Sequence, residues 1–195
     1  MRIKEKLKKS SKELANPLAL AVCAMLLSIC LVLSYFGNIS ITFLGTNVIK
    51  LSFTVIPIAI AAMLYGPVPA AIIGGLSDII GFVMAPMGAY IPGFTISMIL
   101  IGLVYGISFY GEKVTLQRIA LTAAIVGAFI SELLGSLWFV LFYGFQPLHA
   151  LYVRGLKELV MYPITIILIF GICKLLERVP EFKKIKNSQK IVDKI

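Results

Sequence analysis

Six long apolar runs separated by short polar breaks make up most of the chain: Pro17–Phe36, Val48–Tyr65, Pro69–Ala85, Ile91–Tyr110, Ile119–Tyr143 and Leu159–Leu176. A helix that crosses a bilayer needs about 20 such residues, fewer if it is bent or short. The second and third runs meet at Gly66-Pro67-Val68-Pro69, which reads as a tight turn. Its two prolines oppose a single merged span over Val48–Ala85. The pattern predicts an all-α integral membrane protein with six transmembrane helices in one domain. The bundle covers residues 17–176, between a basic tail at 1–16 and another at 177–195.

Composition agrees, with 59% hydrophobic residues and a mean hydropathy of +0.99. Charge orients the bundle. The N-terminal tail holds Arg2, Lys4, Lys6, Lys8, Lys9 and Lys12, and the C-terminal end holds Lys174, Arg178, Lys183, Lys184, Lys186, Lys190 and Lys194. With six spans both tails share a side with Lys113 and Arg118 of the fourth-to-fifth loop. Fifteen of eighteen cations then lie together, which the positive-inside rule makes cytoplasmic. The net charge of +9 follows from this topology, with anionic lipid headgroups as the counterpart, and no nucleic-acid surface is needed. The first run is too long for a signal peptide and no small-residue cleavage site follows it. Cys23, Cys30 and Cys173 lie within or at the ends of spans without metal spacing and read as packing residues. Gly-x-x-x-x-Gly-Lys-[Ser/Thr], His-Glu-x-x-His, Gly-x-Ser-x-Gly and Cys-x-x-Cys are all missing, so neither a cofactor, a metal nor catalysis is expected. A binding pocket with no engine points to a subunit.

Polar residues inside the apolar runs then carry the functional reading. Asp78, in GGLSDIIG, costs roughly 2.5–3.5 kcal/mol on insertion scales if it faces lipid, so it is expected to face a cavity. Glu132, in ISELLGS, is the other intramembrane acid, and Trp138 follows on the same span. The outward side is expected to hold Lys50, His149, Arg154, Lys157 and Glu158. Arg154 and Lys157 are three residues apart, so on a helix they share a face and attract an anion at the entrance of the sixth span. The third-to-fourth connection, Met84 to Thr95, is uncharged and rich in Pro and Gly, which shape a loop. Tyr90 and Phe94 offer flat faces there, and Tyr90 and Thr95 offer hydrogen bonds. Together these describe a pocket for a flat, amine-bearing, acid-tailed molecule.

Helix association in lipid calls for small residues. Ala71-x-x-x-Gly75, Gly102-x-x-x-Gly106 and the run Gly127, Ser131, Gly135 supply them. Pro57 and Pro163 are expected to kink their spans or free backbone carbonyls. The first span carries two small stripes, Ala15-Ala19-Cys23 and Ala24-Ser28, one of which is expected to face a second protein.

The segments LSFTVIPIAIAAMLYGPVPAAIIGGLSDIIG, APMGAYIPGFTISMILIGLVYGISFY and VRGLKELVMYPI resemble the folate-specific substrate-binding (S) components of energy-coupling factor (ECF) transporters. The most specific parts are Tyr90-Ile91-Pro92-Gly93-Phe94-Thr95 and Ser77-Asp78, and the similarity covers about residues 17–176. The resemblance implies the six-helix S-component fold in a bacterial cytoplasmic membrane, with both termini in the cytoplasm. It implies high-affinity capture of folate or a related pterin outside. Release inside would follow reorientation driven by a transmembrane coupling protein and two ATPases. It also implies docking through an Ala-x-x-x-Ala motif on the first helix, whose nearest matches are Ala24-x-x-x-Ser28 and Ala15-x-x-x-Ala19. On this ligand Asp78 would meet the donor edge of the pterin, Tyr90, Phe94 or Trp138 would stack on it, and Arg154 and Lys157 would hold the glutamate tail. The rival readings are an S component for riboflavin, thiamine or a pyrimidine precursor, a self-contained carrier or membrane enzyme, and a structural scaffold.

Overall fold

The computed structural model describes residues 3–36, 39–43, 46–51, 53–86, 90–143, 147–176 and 178. For residues 39–43, 46–51, 139, 143, 147–150, 152–154, 156 and 157 only the backbone is described. The chain runs α1 (Ile3–Glu13), α2 (Pro17–Phe36), β1 (Ile39–Phe43), β2 (Thr46–Leu51), α3 (Val55–Tyr65), α4 (Pro67–Met84), α5 (Pro92–Phe109) and α6 (Leu116–Ile125). A π-helical segment (Val126–Leu134), α7 (Gly135–Tyr143) and α8 (Pro147–Leu176) complete it. Each apolar run of the sequence contains a helix. Among the described residues, five helical stretches are long and apolar enough to cross a membrane: Pro17–Phe36, Pro67–Met84, Pro92–Phe109, Leu116–Phe142 and Glu158–Leu176. The sixth apolar helix, α3, has eleven residues.

Three features depart from the sequence reading. Residues 48–51, assigned there to the second span, belong to β2, which pairs antiparallel with β1 from Ile39 opposite Leu51 to Phe43 opposite Thr46. Because α3 then starts at Val55, Pro57 lies in its first turn, where a missing N–H costs no intrahelical bond and no kink is required. The N-terminal tail is helical, and α1 turns into α2 through Ala15 N–H to Lys12 O and Asn16 N–H to Glu13 O. Pro163 does lie inside a helix, in α8.

The tightest helix pair is α4–α5. A Cβ at Gly74 would stand 2.6 Å from the Met98 carbonyl oxygen, and Cβ atoms at Gly102 and Gly106 would collide with the backbone of Ala70 and Pro67. Small residues thus bring two backbones into contact, as association in lipid requires. The core joins Ile58, Ala61 and Ala62 of α3 to Tyr105 and Phe109 of α5, Ile119 of α6 and Ile169 of α8. Cys23, Cys30 and Cys173 are buried in it as packing residues. Ile72, Leu76, Ile79 and Val83 form an exposed apolar stripe on α4, the face such a helix turns to acyl chains.

On α2 the two small stripes part company. Ala19 is only 1% exposed and Cys23 lies beside it in the core, whereas Ala15, Ala24 and Ser28 are exposed. Ala19 therefore leaves the set of expected docking residues, because the bundle already covers it.

The two ends of the bundle differ. At one end α1 crosses the α3–α4 turn and the last turn of α5. Gly66 makes that turn with φ +88°, a conformation that favours glycine, and a side chain there would strike Ser10. The Ser10 hydroxyl donates to the Tyr65 carbonyl (2.7 Å) and accepts from the Val68 amide (3.0 Å). At the other end lie the β-hairpin, the end of α4, the start of α5, the end of α7 and the start of α8.

Candidate ligand site

At the end away from α1, three predicted residues form one hydrogen-bonded chain. The Thr95 hydroxyl, in the first turn of α5, donates to Asp78 Oδ2 on α4 at 2.6 Å. Thr95 has a single hydroxyl proton, so the Tyr90 hydroxyl, 2.7 Å away, donates to Thr95 Oγ1. Thr95 is buried and Asp78 half-buried, while Tyr90 is 41% exposed and rests its ring on Phe82 at 5.1 Å. The chain thus runs from an exposed phenol to a carboxylate within the helix pair. Gly75 lies where Thr95 and Ile99 come close, so the Gly-Gly pair of GGLSD lets α5 bring Thr95 up to Asp78.

Trp138 of α7 docks on the opposite side of α5. Its indole Nε1 donates to Ser97 Oγ at 3.2 Å, and Ser97 donates to the Gly93 carbonyl at 3.1 Å. Gly93 has to be glycine, because the indole ring occupies the space of its Cβ. Gly93 and Ser97 are one turn apart, and Thr95 lies about 160° round the helix from both. The first turns of α5 therefore stand between Asp78 and Trp138, and the predicted residues do not line a single wall. A molecule touching both must lie across the N-terminal end of α5. Ile91 provides no side-chain cap there, Pro92 has no N–H, and the Phe94 amide donates to the Ile91 carbonyl at 3.1 Å. Phe94 is half-buried in the same turn.

A second polar cluster joins the π segment to α8. Ser131 Oγ donates to Glu158 Oε2 at 2.9 Å, and a Cβ at Gly127 would stand 2.5 Å from Glu158 Oε1. Reciprocally, a Cβ at Gly155 of α8 would stand 3.5 Å from Glu132 Oε1. Each helix thus seats its carboxylate against a glycine of the other. Glu158, expected among the outward charges, is the first residue of the apolar stretch Glu158–Leu176 and is half-buried against the π segment. Helix α8 itself begins at Pro147, eleven residues earlier, so Glu158 lies roughly 16 Å along it. Ser97 and Ser131 were not singled out as site residues. The legible signal for Ser131 and Glu158 was the Gly127, Ser131 stripe, whose small side chains make room for a carboxylate. The π geometry coincides with this cluster, and such segments frequently mark functional sites.

Arg154 and Lys157 fall on α8 within one turn of Glu158 along the backbone, but their side chains lie outside the described residues, as do those of His149 and Lys50. Met87-Gly88-Ala89 of the α4–α5 connection also lie outside them.

Comparison with known proteins bears on this arrangement. A family model for the substrate-specific component of ECF transporters matches residues 18–176. The chain is 34% identical over 146 residues to a folate transporter FolT of Clostridium novyi (strain NT), covering 74% of this chain and 84% of that relative. It is 28% identical over 149 residues to a folate transporter FolT of Leuconostoc mesenteroides, covering 73% and 77%. The fold superposes on the crystal structure of a FolT bound with folic acid with a TM-score of 0.71 and 30% sequence identity, over 80% of this chain and 93% of that one.

Proposed function

The chain belongs to the substrate-specific components of ECF transporters, and from that premise we propose that it captures folate for an ATP-driven uptake transporter. The supporting observation is the Tyr90–Thr95–Asp78 chain at one end of the bundle, with Trp138 across the end of α5. A pterin ring laid over that end meets Asp78 with its donor edge and Tyr90, Phe94 or Trp138 with its face. The glutamate tail then reaches towards α8, where Arg154 offers a two-pronged partner for a carboxylate and Lys157 a point charge.

The proposed topology has six spans with both termini in the cytoplasm of a bacterium, so that the ligand end faces outward. It follows the asymmetry of the basic residues. The subunit has no catalytic role, and a transmembrane coupling protein and two ATPases supply the work. Ala24 and Ser28, with Ala15, are the exposed small residues offered to that coupling protein.

The test is a binding competition on the purified full chain. Folic acid is expected to bind saturably, one per chain, with riboflavin and thiamine failing to compete. Arg154→Ala is expected to weaken folate by more than tenfold and to leave a pterin without the glutamate almost unaffected. Equal losses for both ligands remove Arg154 from the tail. Flux by the chain alone in liposomes, without coupling protein and ATPases, contradicts the subunit reading.

A further inference from the structure

Helix α1 carries three distinct stripes, and one of them is hydrogen-bonded to the bundle. Lys6, Ser10 and Glu13 face the bundle. Lys6 Nζ, on a residue only 5% exposed, donates to the Ile107 carbonyl at 2.9 Å and to Glu112 Oε1 at 3.2 Å. Ser10 holds the α3–α4 turn, and Glu13 accepts from the Tyr110 hydroxyl at 3.3 Å. Lys4, Lys8 and Lys12 lie on the opposite face at i, i+4, i+8 spacing, and all three are exposed. Between the two runs an apolar edge of Ile3, 56% exposed, and half-buried Leu7.

Helix α1 buries no apolar residue; its buried positions are Lys6 and Ser10. An isolated helix of eleven residues is marginal in water, so its attachment depends on polar bonds to the bundle and on whatever its outer face meets. That outer face cannot be far from a membrane. Only Leu14, Ala15 and Asn16 separate Glu13 from Pro17, the first residue of a helix long and apolar enough to span, and Asn16 Oδ1 accepts from the Leu18 amide to start it.

We propose that α1 is an interfacial strap whose Lys4, Lys8 and Lys12 face binds anionic phospholipid headgroups of the adjoining leaflet. Its inner face meanwhile clamps the ends of α3, α4 and α5. Cationic and apolar stripes side by side are what a helix lying in the headgroup region requires, and juxtamembrane lysines are drawn to anionic lipid. The lipid holds α1 down, and α1 holds the ends of the spans together. The inference is independent of which vitamin the bundle carries.

The test is amide hydrogen exchange across residues 3–13 of the full chain in nanodiscs of phosphatidylcholine alone or mixed with phosphatidylglycerol. Anionic lipid is expected to slow exchange of α1 by up to roughly a hundredfold, the combined effect of three lysines near a charged surface. The triple variant Lys4→Gln/Lys8→Gln/Lys12→Gln is expected to lose that difference, and Lys4→Arg/Lys8→Arg/Lys12→Arg to keep it. Exchange that ignores phosphatidylglycerol in the wild type, or lipid dependence that survives the glutamine variant, overturns the proposal. Equal slowing by inorganic phosphate in phosphatidylcholine discs assigns the face to free anions and also overturns it.

Discussion

The α4–α5 pair and the pairing of the π segment with α8 both depend on glycines, but they use them in opposite ways. Between α4 and α5, Gly74, Gly102 and Gly106 bring backbone against backbone, so no side chain intervenes and nothing at the contact can move aside. Between the π segment and α8, Gly127 and Gly155 make room for the ends of Glu158 and Glu132. The first use welds two helices into a platform that fixes Asp78 against Thr95. The second builds a polar seam from flexible side chains within a helix whose hydrogen-bond register has slipped. The same residue type marks a rigid frame in one half of the bundle and an adjustable contact in the other.

Gly106→Ala breaks that comparison most severely if it is wrong. Its new methyl overlaps the Pro67 backbone, and the expected loss is about 3 kcal/mol, the upper part of the overpacking range, read as a large drop in thermal midpoint. A near-neutral result would mean that α4 and α5 are not welded. Asp78→Asn comes next. It weakens the acceptor of the Thr95 proton, and folate binding is expected to fall at least tenfold, or about 1.4 kcal/mol, with Thr95→Val lowering it less. Unchanged affinity removes Asp78 from the site. Gly127→Ala is expected to cost about 1 kcal/mol or less, because Glu158 Oε1, the group it meets, is the end of a flexible chain. If Gly127→Ala destabilises as much as Gly106→Ala, the contrast between the halves fails.

The smallest effect lies where the halves are tied together. Glu112 bridges Lys6 of α1 at 3.2 Å and Arg118 of α6 at 3.1 Å. Desolvation pushes its carboxyl up, but the Lys6 and Arg118 contacts outweigh this and hold it below its ordinary 4.5. A depressed folded-state value means the contribution is present above pH 4.5 and is lost as pH falls through that lower value. Thermal midpoints recorded from neutral to acid pH should therefore fall less steeply for Glu112→Gln than for the wild type, by a modest margin for a partly exposed pair. Identical slopes would show that the bridge contributes nothing.

Much of this was legible in the residues, for identifiable reasons. Hydropathy located the helices because lipid demands long apolar runs. Asp78 stood out because a carboxylate in such a run needs a partner, and Thr95 with Tyr90 supplies it. Gly102-x-x-x-Gly106 marked a true backbone contact. Other features left a weaker trace. The N-terminal tail reads as a basic tail beside lipid headgroups and not as a docked helix, because α1 docks through Lys6, Ser10 and Glu13, a polar stripe that hydropathy scores against burial. Residues 48–51 merged into the second span because Val, Ile and Leu suit a strand as well as a membrane helix. The sixth helix looked shorter than it is because the apolar run starts at Leu159, whereas the helix starts at Pro147. Hydropathy marks the greasy part of a helix, and the helix itself continues as long as its backbone bonds do.

Trp138 is the only tryptophan in the chain and sits across the end of α5 from Asp78, so its fluorescence reports on one place. Titrating the purified chain with folic acid should quench that emission saturably at one ligand per chain, with the midpoint shifted at least tenfold in Asp78→Asn. Emission indifferent to folate but responsive to another vitamin, or unaffected by any, would contradict the assignment of this bundle to folate capture.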